Sequence, residues 1–301
     1  MEINLVPEKL RRHEIPGRVK IANGPGQLPL VKIRTPWSAA EIYLHAAHVT
    51  GFQKNGEPPL LFMSAKSYFA PGKAIRGGVP ICFPWFGPRE GEPAHGFARF
   101  MAWELAETSA APDGAVTIRL RLPKDGVKPG WSSLRTEFVV TVSDTLTMEL
   151  IATNESAAAL EIENCLHTYF HVGDINQISL TGLQGAPFDD FAAGAAGARK
   201  EENDAVLRIT KETNRTYIDT VATVDIHDAQ LKRTIRVEKS NSNSTVVWNP
   251  WTTQKMPDDF DPAEHRQMVC VESGNVKQNK LSLAPGKTSA LKVILSSTPL
   301  K

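Results

Sequence analysis

Apolar side chains occupy alternate positions along much of this chain, and that rhythm leaves few folds open to it. Val116, Ile118, Leu120 and Leu122 alternate with Thr117, Arg119 and Arg121. The pattern returns in Phe138, Val140 and Val142, in Leu146, Met148 and Leu150, and in Leu291, Val293 and Leu295. Successive side chains of a strand point to opposite faces, so each segment reads as a strand with one buried and one wet face. Turn signals separate them: Asn55-Gly56, Pro112-Asp113-Gly114, Lys124-Asp125-Gly126, Ser143-Asp144 and Pro285-Gly286. Helical stretches are scarce, and residues 7–13 and 261–266 suit one short helix each. Many short strands without intervening helices predict an all-β fold, a large antiparallel β-sandwich rather than a parallel α/β sheet. Residues 192–198 (AAGAAGA) read as a flexible loop. No internal repeat or compositional break divides the chain. A single domain over residues 1–301 is therefore expected, with about the first 29 residues as an N-terminal extension packed on it.

Composition narrows the function. The 301 residues are 41% hydrophobic, enough for a sizeable core. Lys plus Arg number 34 against 33 Asp plus Glu, so no long-range basic field exists to hold nucleic acid or an anionic membrane. An acidic ligand must be held by a few local cations. Cys82, Cys165 and Cys270 lie far apart, with no CxxC pair, which predicts buried thiols rather than a disulfide framework or zinc ribbon. The N-terminal residues lack the pattern of a signal peptide, and no apolar run approaches the roughly 20 residues that span a bilayer. The expectation is a soluble, cytoplasmic monomer.

Several familiar motifs fail. Gly286-Lys287-Thr288 resembles the end of a phosphate loop, but Leu281 stands where that loop needs glycine. Gly24 and Gly26 begin a dinucleotide-like pattern that Pro29 breaks. No G-x-S-x-G elbow occurs. His167 and His171 have the spacing of a helical zinc pair, yet in a strand they would stand roughly 13 Å apart. Nothing calls for a metal or a cofactor. His45 and His48 would face opposite ways and receive no role.

Three segments set useful polar residues inside apolar strands or beside tight turns. The first, residues 73–89 (KAIRGGVPICFPWFGPR) followed by 95–99 (HGFAR), offers Arg76, His95 and Arg99 beside glycines that let backbone approach a ligand. The alternative is that both arginines pair with carboxylates and the glycines only make turns. In the second, residues 161–170 (EIENCLHTYF), a strand would put Cys165, His167 and Tyr169 on one face and Leu166 and Phe170 on the other. A strand histidine is often structural, but imidazole also exchanges protons near neutral pH. In the third, residues 268–274 (MVCVESG), Val269 and Val271 face the core and leave Glu272 on the other side. A carboxylate in so apolar a run is costly to desolvate unless paired or used. Trp248 and Trp251, near a turn, suit either a sugar platform or the core. Asn214, in residues 212–217 (ETNRTY), is read as part of a polar loop at a pocket mouth.

Together these segments resemble the hexose-6-phosphate branch of the aldose 1-epimerase family. The resemblance runs from about residue 30 to the end: RGGVPICFPWFGPR, HGFAR with Trp103 beyond it, the Cys165–Phe170 stretch, TNRTY, VVWNPW and VCVESG, in order. It implies a galactose-mutarotase-like sandwich with a sugar cleft on one concave face, interconverting the α and β anomers of a hexose 6-phosphate, with glucose 6-phosphate expected. It also implies His167 as general acid, Glu272 as general base, Arg76 and Arg99 as phosphate binders, and His95 and Asn214 as sugar-site residues. Two departures bear on substrate choice: Ala94 where the family often has Gln, and Asn214 where Asp is usual. The mechanism expected places His167 and Glu272 on opposite sides of the C1–O5 edge. The alternatives are a non-catalytic sugar-phosphate-binding module and a mutarotase for an unphosphorylated sugar.

Overall fold

The computed structural model describes residues 6–300, so residues 1–5 of the expected extension lie outside the described residues. Strands dominate, and those the alternation predicts are present: Val116–Arg121, Leu134–Val142, Leu146–Asn154 and Thr288–Pro299. Leu146–Asn154 alternates strictly between buried and half-buried side chains. These four join Ile178–Thr181, Val224–Asp228, Arg233–Ser240 and Glu104–Ala110 in an eight-stranded antiparallel sheet. A second eight-stranded sheet runs in the order Ala198–Glu201, Pro187–Asp190, Thr213–Tyr217, Ser244–Asn249, Met268–Asn275, Asn164–Leu166 and Ile81–Cys82. Its eighth strand, Tyr169–His171, also pairs with Met268–Asn275. Inward side chains of both sheets share one core cluster, with Ile118, Phe138 and Leu150 from the first and Val247, Val269 and Val271 from the second. The molecule is thus a large antiparallel β-sandwich.

Val19–Asn23, Pro29–Arg34, Ser38–Tyr43 and His48–Lys54 form a four-stranded antiparallel meander. Val19 and Ile21 reach the main core from it. The two predicted helical stretches appear as Glu8–Arg11 and the 3₁₀ turn Pro262–Gln267, the latter closed by a reciprocal Asp261/Glu264 capping box. No helix among the described residues is long and apolar enough to cross a membrane.

The second sheet positions the site. Met268–Asn275 and Ser244–Asn249 are buried along their whole length, which requires cover on both faces. One face meets the main core. The other carries a smaller cluster with Cys82, Cys165, Tyr169, Trp248, Met268 and Cys270, above which a cavity opens. Two readings are corrected here. Residues 213–217 are not a loop but the strand Thr213–Tyr217, paired to Ser244–Asn249; Asn214 and Thr216 face the cavity while Arg215 pairs with Glu202 on the other side, so polar residues on both faces hide the apolar alternation of an ordinary strand. Residues 161–170 are not one strand but parts of three short ones, Leu160–Ile162, Asn164–Leu166 and Tyr169–His171.

Candidate active site

Strand register brings the two candidate proton-exchanging groups, His167 and Glu272, together. Leu166 lies opposite Ser273 and Tyr169 opposite Cys270. The register therefore continues across the break at His167 and Thr168, and His167 falls opposite Glu272. Directly opposed side chains of an antiparallel pair stand close on one face, and His167 Nε2 lies 3.2 Å from Glu272 Oε1. The partition of faces follows the sequence: Leu166, Phe170, Val269 and Val271 enter the main core, while Cys165, Tyr169 and Cys270 lie on the cavity side. The expected placement on opposite sides of a sugar edge is corrected. The two groups stand side by side, because adjacent strands present them from one floor.

Burial sets their protonation. Glu272 is 1% exposed, and desolvation holds its carboxyl well above the ordinary range, against a hydrogen bond from the Cys165 thiol at 3.6 Å. Desolvation lowers His167, as do His95, Arg99 and Arg76. Both directions favour uncharged groups, a carboxylic acid beside a neutral imidazole, so the pair holds one proton with no net charge. His167 is clamped by the Tyr169 ring, stacked at 4.8 Å, and by the edge-on Trp248 ring at 6.0 Å. Its Nδ1 is buried without a hydrogen-bond partner among the described residues.

Around this floor lies a cavity of about 400 Å³, within the range of small-molecule sites. Arg76, His95, Arg99, His167, Asn214 and Glu272 all line it. The two arginines differ in kind. Arg76 forms a bidentate bridge to Asp259, both bonds 3.2 Å, and donates to the Tyr169 hydroxyl oxygen at 3.3 Å. Arg99 has no such carboxylate among the described residues. It donates to the Ala94 carbonyl at 2.7 Å, its Nε is buried without an acceptor there, and burial lowers its pKa. A guanidinium left uncompensated in a cavity wall is a ready anion site. His95 is held down to about 3 by burial, then by Arg99, Arg76 and Lys277. It is thus a neutral hydrogen-bonding group. Its Nδ1 accepts the Gly87 N–H at 3.3 Å, which leaves the hydrogen on Nε2.

The glycines of RGG are structural necessities. Gly77 and Gly78 have φ of +106° and +59°. A Cβ on Gly77 would lie 2.4 Å from the Phe62 carbonyl oxygen, and one on Gly78 would lie 2.3 Å from that of Val49. His45 and His48, given no role from sequence, secure this loop by bonding the Lys73 and Gly77 carbonyls, each at 2.7 Å. Trp248 lines the cavity, while Trp251 packs against His265 at 5.5 Å, so the tryptophan pair divides between the two readings. Period two puts Tyr169 on the correct face, but nothing local in the sequence signals its clamp on His167. Asp259 and Lys277 carry no sequence signal that distinguishes them from solvent-facing charges. His167, Cys270 and Glu272 each offer one donor atom, all within 4.8 Å; that set suits a thiophilic divalent ion, although the histidine nitrogen and the carboxylate oxygen face each other at 3.2 Å here.

The aldose 1-epimerase family model matches residues 29–296. A protein of Cenchrus ciliaris, provisionally named glucose-6-phosphate 1-epimerase, is 32% identical over 271 residues, 86% of this chain and 82% of its own. An Escherichia coli K12 protein with the same provisional name is 34% identical over 267 residues, covering 84% and 85%. A Salmonella typhimurium crystal structure provisionally described as a mutarotase superposes with a TM-score of 0.86 at 29% identity, covering 95% of this chain and 96% of that one. With the sandwich, its cavity and the matched span in agreement, the chain belongs to the aldose 1-epimerase family.

Proposed function

We propose that the chain interconverts the α and β anomers of a hexose 6-phosphate, glucose 6-phosphate being the substrate favoured by the names its relatives carry. The observation that carries this reading is that one cavity holds both a proton-sharing His167–Glu272 pair and an uncompensated guanidinium. A binding module needs an anion anchor but has no use for a matched donor and acceptor.

Ring opening takes the hydrogen from the anomeric O1 and gives one to the ring O5. Both oxygens are bonded to C1, so two adjacent side chains reach them from one floor. With the pair as carboxylate and imidazolium, Glu272 takes the O1 hydrogen while Nε2–H of His167 protonates O5, and the C1–O5 bond breaks. The pair is then carboxylic acid and neutral imidazole. Rotation about C1–C2 presents the other aldehyde face. On closure His167 removes the C5 hydroxyl proton as O5 attacks C1, and Glu272 returns a proton to O1. The pair keeps one proton throughout, and the form that burial favours is the one closure needs. Each positioned transfer contributes roughly 10²–10⁴ in rate. Trp248 and Tyr169 hold the imidazole in place, and Asn214 and His95 Nε2–H supply uncharged hydrogen bonds to hydroxyls.

Polarimetry of freshly dissolved α-glucose 6-phosphate and α-glucose tests the reading. Acceleration of the phosphorylated sugar well beyond glucose is expected. Equal acceleration of both would instead support a mutarotase for unphosphorylated sugar, and none at all a binding module.

A further inference from the structure

The turn after Met268–Asn275 puts a third cation in the cavity wall. Lys277 has φ of +57°, a conformation side chains of its size seldom adopt, and its backbone is fixed there. Its N–H donates to Glu163 Oε1 at 2.6 Å, while Glu163 Oε2 accepts the Phe86 N–H at 2.9 Å. One carboxylate thus pins two cavity-lining segments and is occupied by backbone, not by the ammonium. The Lys277 Nζ lies 5.5 Å from the centre of the Phe191 ring, and a Cβ on Gly87 would stand 3.3 Å from it. It forms no ion pair among the described residues. Gly87 donates to His95, and Arg99 binds the carbonyl just before His95. Lys277, His95 and Arg99 therefore border one continuous strip of the cavity.

We propose that Lys277 is a specificity-determining residue: its ammonium and the Arg99 guanidinium together take the dianionic phosphate of the substrate. Arg99 supplies a planar fork held by the Ala94 carbonyl, and Lys277 a point charge on a flexible stem that follows the phosphate. Arg76, already bridged to Asp259, supplies a fixed edge of the same wall. This inference rests on the hexose 6-phosphate reading above.

The test measures KM and kcat for glucose 6-phosphate and glucose, with inorganic phosphate as inhibitor, in wild type, Lys277→Gln, Lys277→Arg and Arg99→Met. Loss of one charge-assisted bond predicts a KM for glucose 6-phosphate about ten-fold higher in Lys277→Gln, with kcat within about two-fold. The ratio of kcat/KM for glucose 6-phosphate to that for glucose falls by the same factor, and the inhibition constant of phosphate rises with it. Lys277→Arg restores most of each. If Lys277→Gln leaves these constants at wild-type values while Arg99→Met shifts them, Lys277 is not part of the phosphate site and the substrate reading stands. If wild type neither prefers the phosphorylated sugar nor is inhibited by phosphate, the substrate reading fails and takes this inference with it.

Discussion

Replacing Arg99 by Met separates a ligand-binding guanidinium from a structural one by the sign of its effect on stability. In the free protein the group donates to the Ala94 carbonyl, and its Nε has no acceptor among the described residues. Removing it leaves one carbonyl to find water, a cost of about 1–3 kcal/mol if none reaches it. It also removes a half-buried cation with no carboxylate against it, whose desolvation penalty is of the same order or larger. The two nearly cancel, so the melting temperature stays level or rises. Binding changes far more. Two charge-assisted hydrogen bonds to phosphate contribute roughly 3–6 kcal/mol, so KM for glucose 6-phosphate rises by about two to four decades. Arg76→Met behaves in the opposite way. Asp259 is 5% exposed and would lose its bidentate partner, and breaking a buried pair costs about 3–5 kcal/mol. Scanning calorimetry of both variants beside steady-state exchange kinetics reads the two effects. A large drop in melting temperature for Arg99→Met with an unchanged KM would refute the assignment, because it would mean Arg99 serves the fold.

Glu272→Gln is expected to stabilise the protein. A carboxyl whose folded pKa is raised contributes stability below its unfolded value of 4.5 and loses it as pH climbs through the folded value; the melting temperature of the variant should exceed wild type increasingly as pH rises above 4.5 toward that folded value. The pH profile of kcat/KM should be a broad plateau through neutrality, corrected for phosphate ionisation at about 6. Activity fails at low pH when the pair takes a second proton, below the ordinary histidine value because His167 is depressed, and at high pH when it loses its only proton, far above the ordinary carboxyl value. Gly78→Ala forces a Cβ to within 2.3 Å of the Val49 carbonyl at positive φ, which should destabilise by about 1–3 kcal/mol and shift Arg76; calorimetry and KM read both.

The strands are legible because facing is a local property. Val269 and Val271 announce which side of their strand meets the core, and Leu166 and Phe170 do the same for theirs, so Glu272 and His167 fall on the opposite face. That they oppose one another depends on register, which links positions far apart in the chain and has no local signature. The same limit explains the arginines. Arg76 and Arg99 look alike in sequence, and only folding shows that Asp259, 183 positions from Arg76, claims that one and leaves the other without a carboxylate. Asn214 reads as a loop residue because its strand carries polar residues on both faces, Asn214 and Thr216 toward the cavity and Arg215 toward Glu202, and so lacks the alternation that marks strands elsewhere. Lys277 owes its position to a turn anchored by Glu163, a contact across 114 positions.

Magnetisation exchange between the α and β anomeric protons of glucose 6-phosphate at equilibrium tests the His167–Glu272 pair most directly, because it reads the chemical step without a coupling enzyme. Wild type should raise the exchange rate well above buffer, and Glu272→Gln and His167→Asn should each lower it by at least about 10²-fold while line broadening still reports binding. Variants that exchange the anomers as fast as wild type would contradict the shared-proton mechanism.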